Sequence, residues 1–286
     1  MTASSSSFPQ SGNLNPENKE GIRADQLFWK PKTASCPILD EISASFHPGK
    51  FYALIGPNGA GKTSFLRCLP AFIRPNRGKV FLGGEAISTL SRKSIARFLA
   101  YLPQDSDERP KLPVKDIIAM ARYPWHTRFS DLGSSDYELI DRAIQLCHCQ
   151  DLQNRDYSEL SGGERQRILC CRAIAQQSPW ILLDEPISNL DLHYQHEILQ
   201  ILRELVDQKM VSVIAVMHDL SLSWRYVDEV CFIHEGRLLA SGRKEEVLCE
   251  EVLRKVYGEG LKTFDDPGSG ERFFTIQKQA SQVPQT

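Results

Sequence analysis

The chain has 286 residues, 41% of them hydrophobic and 24% charged, and its 34 basic and 36 acidic side chains leave a formal charge of −2. That length is ample for a sizeable core and excludes a mini-protein held together by disulfides. The even balance lacks the excess of clustered Lys and Arg that nucleic acid demands, so nucleic acid is not expected as a partner.

Residues 1–20 are rich in Ser and Asn, contain no apolar core of a secretory signal, and read as a disordered tail. The longest apolar run, Val211 to Met217, contains Ser212 and falls far short of the roughly 18 to 20 residues that a membrane helix needs. Any work at a membrane therefore requires spanning helices from other chains. Ile22–Trp29 and Ile38–Phe46 are β-like runs around a turn containing Pro and Lys, which predicts an antiparallel hairpin. Phe51–Ile55 is a continuous apolar strand. A Gly-rich turn follows it, and then Phe65, Leu66, Leu69, Phe72 and Ile73 recur at helical spacing.

Further apolar strands are predicted at Val80–Leu82, Trp180–Leu183, Val213–Met217 and Val230–Ile233. Their lack of alternation suits parallel strands covered on both faces. Between about Ser106 and Glu159 no strand is expected. Helices at Val114–Ala121 and Tyr137–Cys147 predict a helical subdomain inserted into the sheet core. A hairpin turns on Glu235-Gly236 within Ile233–Ser241. Beyond Gly258, acidic and Gly-rich residues lead into a polar tail. Of the eight cysteines, Cys170 and Cys171 point to different helix faces, and Cys147-His148-Cys149 lacks a second pair at zinc spacing. They read as buried reduced thiols, which suits the cytosol.

Gly56-Pro57-Asn58-Gly59-Ala60-Gly61-Lys62-Thr63 fits G-x-x-x-x-G-K-[ST] between a predicted strand and a predicted helix. The glycines let successive N–H groups and the helix N-terminus face anionic phosphates, Lys62 reaches the outer phosphates, and the Thr63 hydroxyl ligates Mg²⁺. A buried strand then delivers two acids, in Trp180-Ile181-Leu182-Leu183-Asp184-Glu185. Asp184 is placed to hold Mg²⁺ through water, and Glu185 to act as general base on the attacking water. Leu160-Ser161-Gly162-Gly163-Glu164-Arg165-Gln166-Arg167 opens another helix whose start offers bare N–H groups to an anion. One complete P-loop and a second phosphate-reading turn far from it suggest that two copies share each nucleotide.

Leu160 to Arg167 resembles the signature motif of the ATP-binding cassette (ABC) ATPases, and the family's other motifs fall in order around it. Gln104 matches the Q-loop glutamine, Ser188-Asn189-Leu190-Asp191 the D-loop, and His218 the switch histidine. The resemblance implies an α/β fold: a mixed, mainly parallel sheet flanked by helices, with an N-terminal antiparallel β subdomain and the inserted helical subdomain. It divides the chain into a tail (1–20), a nucleotide-binding domain (21–262, helical insertion about 106–165) and an extension (263–286). It also implies a head-to-tail homodimer trapping two ATP molecules. Each lies between Lys62, Thr63, Gln104, Asp184, Glu185 and His218 of one copy and Ser161, Gly162 and Gly163 of the other. Gln104 joins Thr63 and Asp184 around Mg²⁺, and Ser64 and Asp191 complete the nucleotide-binding set.

Some positions depart from the family pattern. Thr63-Ser64 stands where Ser-Thr is usual, with a hydroxyl at both places. Ile187 replaces a usual Thr and Asn189 a usual Ala. The aromatic that stacks on adenine is displaced: the family's Tyr aligns with Pro31, leaving Trp29 as the candidate, Phe28 as its alternative, and simple packing of Trp29 in the hairpin as the structural reading.

Leu112 to Ile117 and Ala121 to His126 lie where importer ATPases meet the membrane subunit, and Tyr123 and Trp125 beside Pro124 suit a docking patch, with burial in the subdomain as the competing reading. This stretch, and Gly236 to Gly242, are similar to ATPase subunits importing ferric siderophores, haem and cobalamin, those for ferric hydroxamates most of all. The resemblance implies a peripheral subunit on the cytoplasmic face of the inner membrane, working with integral permease subunits and, through them, a substrate-binding protein. A non-transport ABC ATPase is the rival within the family. A P-loop GTPase would need N-K-x-D downstream; the nearest string, Asn18-Lys19-Glu20-Gly21, is upstream and lacks the Asp.

Overall fold

The computed structural model describes residues 21–104, 109–127, 131–188, 190–268 and 270–277. The expected tail at 1–20, Asn189 and the last polar residues lie outside them.

The described chain opens with β1 (Ile22–Trp29) and β2 (Leu39–Phe46), paired antiparallel as their sequence predicts. Next come β3 (Phe51–Ile55), α1 (Lys62–Cys68), β4 (Arg77–Leu82) and the two-residue β5 (Glu85–Ala86). Val80–Leu82 is not one of the parallel strands. It lies in β4, antiparallel to β1, in a four-stranded sheet of order β2-β1-β4-β5. Three consecutive apolar residues at a strand end carry no information on which sheet they join. α2 (Arg92–Phe98) then runs directly into β6 (Leu99–Leu102).

The helical region holds α3 (Val114–Ala119), a 3₁₀ stretch at Met120–Trp125, α4 (Ser134–Leu146) and α5 (Gly162–Ala175). Pro124, whose ring cannot donate to a helix, falls inside the 3₁₀ stretch. α5 runs past residue 165, the expected limit of the insertion. β7 (Trp180–Asp184), α6 (Leu192–Asp207), β8 (Ser212–Val216), α7 (Leu220–Tyr226), β9 (Glu229–His234) and β10 (Arg237–Arg243) follow. The chain ends in α8 (Lys244–Val247), α9 (Glu250–Tyr257) and a hairpin of β11 (Leu261–Asp265) and β12 (Arg272–Ile276). That hairpin spans the expected start of the extension at 263 and was not expected from the sequence.

The six-stranded sheet has order β10-β9-β3-β8-β7-β6 and is parallel except for the edge strand β10. Its apolar strands serve two cores. Phe51, Ala53, Ile55, Ile181, Leu183, Val213 and Ala215 face the helical side, and Tyr52, Leu54, Trp180, Leu182, Ile214 and Val216 pack toward the antiparallel sheet. Side chains alternate across a strand, so a strand covered on both faces must be apolar throughout. Burial pushes the Tyr52 phenol above its usual range while its hydroxyl bonds the backbone of His47.

Six of the eight cysteines are buried, Cys249 is half-buried and Cys36 is exposed. Cys147 and Cys149 lie in the core on the helical side, and no metal-holding cluster occurs among the described residues. Nor is any described helix long and apolar enough to cross a membrane.

Candidate active site

Four neighbouring strands end at one edge of the large sheet, and each delivers one part of the site. In the order β3, β8, β7, β6 these are the turn Gly56–Gly61 with Lys62, His218, the pair Asp184 and Glu185, and Gln104. Ligands of open parallel sheets bind beyond these carboxyl ends.

The turn after β3 needs glycine for steric reasons. At Gly56 (φ 141°) a Cβ would stand 1.9 Å from the carbonyl oxygen of Ile233, and Gly61, the N-cap of α1, has φ 100°. Among the described residues no side chain caps α1, so the N–H groups of its first turn keep their capacity for an anion. The Lys62 ammonium is buried and donates to the carbonyls of Gly56 (2.8 Å) and Pro57 (2.9 Å). Burial lowers its pKa from the usual lysine range, while Glu185 and Asp184 oppose that shift. Ser64 follows within α1, half-buried.

Asp184 is fully buried at the end of β7. Its Oδ1 accepts from the Thr63 hydroxyl at 2.7 Å and its Oδ2 from the Tyr101 hydroxyl at 3.0 Å. Arg67 donates to the Tyr101 oxygen at 3.2 Å and stands 3.7 Å from Asp184 Oδ2. Burial raises the Tyr101 pKa to about 12, so the phenol keeps its proton and donates a hydrogen bond at neutral pH. Hydroxyl and carboxylate oxygens are the donors a hard cation takes, so the Thr63–Asp184 pair fits Mg²⁺.

Glu185 breaks from the strand at φ 54°, unusual for a non-glycine residue, and its carbonyl is held by the N–H and hydroxyl of Ser188. Its carboxylate lies between two polar side chains. Gln104 donates to Oε2 at 2.7 Å, and His218 Nε2 lies 2.7 Å from Oε1. Gln104, Glu185 and His218 thus make one set of contacts, and the Thr63–Asp184 pair and Lys62 adjoin it through the neighbouring residues of the chain.

Ser161, Gly162 and Gly163 lie outside that group, at the start of α5. Ser161 and Glu164 form a reciprocal cap. The Ser161 hydroxyl accepts from the Glu164 N–H at 3.3 Å, and the Ser161 N–H donates to Glu164 Oε2 at 2.8 Å. The Ser161 N–H is therefore not bare, as the sequence suggested. A Cβ at Gly163 would press on the Tyr194 ring at 3.0 Å, so the glycine lets α5 pack closely on α6. Asp191 caps α6 by accepting from the Tyr194 N–H at 3.2 Å.

Trp29 ends β1 half-buried against the core that faces the antiparallel sheet, opposite Leu39. Phe28 has its ring under the Arg77 guanidinium at 4.3 Å. Of the two aromatics expected to dock a partner, Tyr123 is 66% exposed and lines a groove with Leu112, Met120, Leu132 and Tyr137. Trp125 is not free. Its indole N–H donates to the Gln176 carbonyl at 2.6 Å, and Arg97 and Arg122 approach its ring. The ring is half-buried. Arg67 and Tyr101 were missed because neither belongs to a motif.

A family model described as "ABC transporter" matches residues 39–188, more than half of the chain. The chain belongs to the ABC transporter family. The cassette is 36% identical over 237 residues to the cobalamin import ATP-binding protein BtuD of Halobacterium salinarum, an alignment covering 83% of this chain and 59% of that protein. It therefore spans less than two thirds of the length of that relative. It is 35% identical over 230 residues to the "Probable siderophore transport system ATP-binding protein YusV" of Bacillus subtilis, covering 80% of this chain and 84% of that one. Its fold is similar to a solved structure described as "an inward-facing conformation of a putative metal-chelate type ABC transporter", with a TM-score of 0.78 at 24% identity over 91% of this chain and 98% of that one.

Proposed function

We propose that the chain is the ATP-hydrolysing motor subunit of a membrane importer for an iron chelate of the ferric siderophore type. The single observation behind the chemistry is Glu185, whose carboxylate is held between Gln104 and His218 beside Lys62 and Thr63. The likeness to the siderophore protein over most of both chains supports the cargo class. The likeness to the cobalamin protein favours a cobalt chelate as the second reading.

In this reading the backbone N–H groups of the turn and helix start from Asn58 to Ser64 and the Lys62 ammonium bind the phosphates. Lys62 exchanges its two carbonyl partners for phosphate oxygens and carries positive charge to the transferred group. Mg²⁺ supplies Lewis-acid charge stabilisation when bound, with Thr63, Asp184 and Gln104 as the residues that would hold it. Glu185 takes the proton of the attacking water, and Gln104 and His218 keep its two oxygens aimed. His218 also stands where negative charge develops on the transferred phosphoryl group. Trp29 stacks on adenine.

Ser161, Gly162 and Gly163 lie outside the Lys62 site, so the reading takes them from a second copy of the chain, with Asp191 at the shared edge. ATP then favours the closed pair, and its cleavage lets the pair open. The motor works at the cytoplasmic face of the inner membrane under integral permease subunits fed by a substrate-binding protein. The domain limits at 21–262 and 263–286 belong to the same proposal.

Exposed Tyr123 is the proposed contact to the permease. In vesicles carrying the whole importer, Tyr123→Ala is expected to lower chelate uptake about tenfold, the loss of a typical interface anchor, with ATP binding by the isolated subunit unchanged. Trp125→Ala is expected instead to destabilise the fold by about 2 kcal/mol, measured by denaturant unfolding. Full uptake with Tyr123→Ala would remove this surface from the account.

A further inference from the structure

We infer that Tyr101 is a positioning residue for the metal-holding carboxylate, a spacer that keeps the Arg67 guanidinium from hydrogen-bonding Asp184 directly. The inference rests on the proposed metal role of Asp184.

Asp184 lies entirely out of water, so both its oxygens need partners from the protein. Thr63 supplies the partner of Oδ1 at 2.7 Å, from α1. Tyr101 supplies that of Oδ2 at 3.0 Å, from β6, which pairs with β7 so that Tyr101 lies opposite Leu182. The carboxylate is thus held from two sides with its plane fixed.

A cation also stands nearby. Arg67, in the last turn of α1, donates its Nε–H to the Tyr101 oxygen at 3.2 Å and remains 3.7 Å from Asp184 Oδ2. The phenol oxygen accepts from the guanidinium, and its O–H donates a hydrogen bond to the carboxylate. Arg67 thus stays at ion-pair distance from Asp184, 3.7 Å, with its Nε–H donated to Tyr101 instead of to the carboxylate. A direct guanidinium–carboxylate pair is short and strong, and inside the protein its charge neutralisation would compete with a divalent cation for Asp184. The Phe72 ring meets Tyr101 edge-on at 5.0 Å and holds the phenol in line.

This spacer role differs from simple support. If Tyr101 only filled space, Tyr101→Phe would be nearly silent or would lower stability. If it is a spacer, removing the hydroxyl frees Arg67 to pair with Asp184, and the defect appears specifically in metal binding. Removing Arg67 as well should relieve that defect.

The test uses the full chain with ADP and titrates Mn²⁺ by electron paramagnetic resonance, beside ADP affinity without metal and the thermal midpoint. Tyr101→Phe is expected to weaken Mn²⁺ binding about tenfold, the usual scale for loss of an outer-shell partner, with ADP affinity in chelator unchanged. Adding Arg67→Ala is expected to recover most of that loss. Mn²⁺ bound as tightly by Tyr101→Phe as by the parent, or a loss that Arg67→Ala leaves in place, overturns the inference. A parent that takes up no Mn²⁺ with ADP overturns the metal role of Asp184 itself, and the inference falls with it.

Discussion

Lys62→Ala is expected to lower affinity for ATP by a hundredfold or more, read by titration with a fluorescent ATP analogue. The ammonium is buried with two backbone carbonyls, those of Gly56 and Pro57, as hydrogen-bond partners. It therefore serves the site twice. It braces the glycine turn, and in the proposed reading it then turns to the phosphates with its charge intact. Hydrogen bonds to a charged group contribute about 1.5–3 kcal/mol each, so losing two toward phosphate corresponds to at least two powers of ten in binding. Alanine removes the amine without adding bulk, and a native circular dichroism spectrum separates lost affinity from lost fold. ATP binding at parental strength would remove the P-loop from the account.

Glu185→Gln is expected to leave ATP binding within about threefold of the parent while lowering turnover by about 10²–10⁴-fold, the usual contribution of a positioned general base. The substitution keeps the shape of the side chain. The amide retains one acceptor oxygen, which either Gln104 or His218 can still approach, so the arrangement at 2.7 Å on each side is disturbed on one side only. What it loses is basicity. In the proposed cycle ATP then stays whole and the paired state accumulates, which light scattering with MgATP would detect as a dimer. Phosphate release at the parental rate would exclude Glu185 as the base.

Much of this site is legible in the order of the amino acids alone, because its chemistry is written in short contiguous strings. Gly56 to Thr63 contains its own turn and helix start, and Trp180 to Asp184 is a buried strand that ends in a carboxylate. Covered on both faces, β3, β7 and β8 read as unbroken apolar runs, and the structure assigns alternate residues of each to two separate cores. Other parts left weaker traces. β6 begins immediately after α2, with no Gly or Pro between Phe98 and Leu99, so the helical and strand periods merge. The hairpin of β11 and β12 is short, and its turn, rich in Asp and Gly, reads as the start of a tail. Trp125 looked exposed because Pro124 precedes it. In the fold the Pro124 carbonyl accepts from Arg97 and the indole closes onto Gln176. Arg67 and Tyr101 act on Asp184 from an α1 turn and a strand far away in sequence, a meeting that only the sheet order creates.

Whether this cassette drives a membrane permease with ATP is decided by co-purification of tagged Glu185→Gln protein from its own cells in MgATP, with mass spectrometry of the proteins retained and a Tyr123→Ala version in parallel. The expected result is a polytopic membrane subunit at about one copy per copy of this chain, lost or sharply reduced with Tyr123→Ala. Ribosomal or chromosomal proteins in place of any membrane subunit would contradict the proposed role.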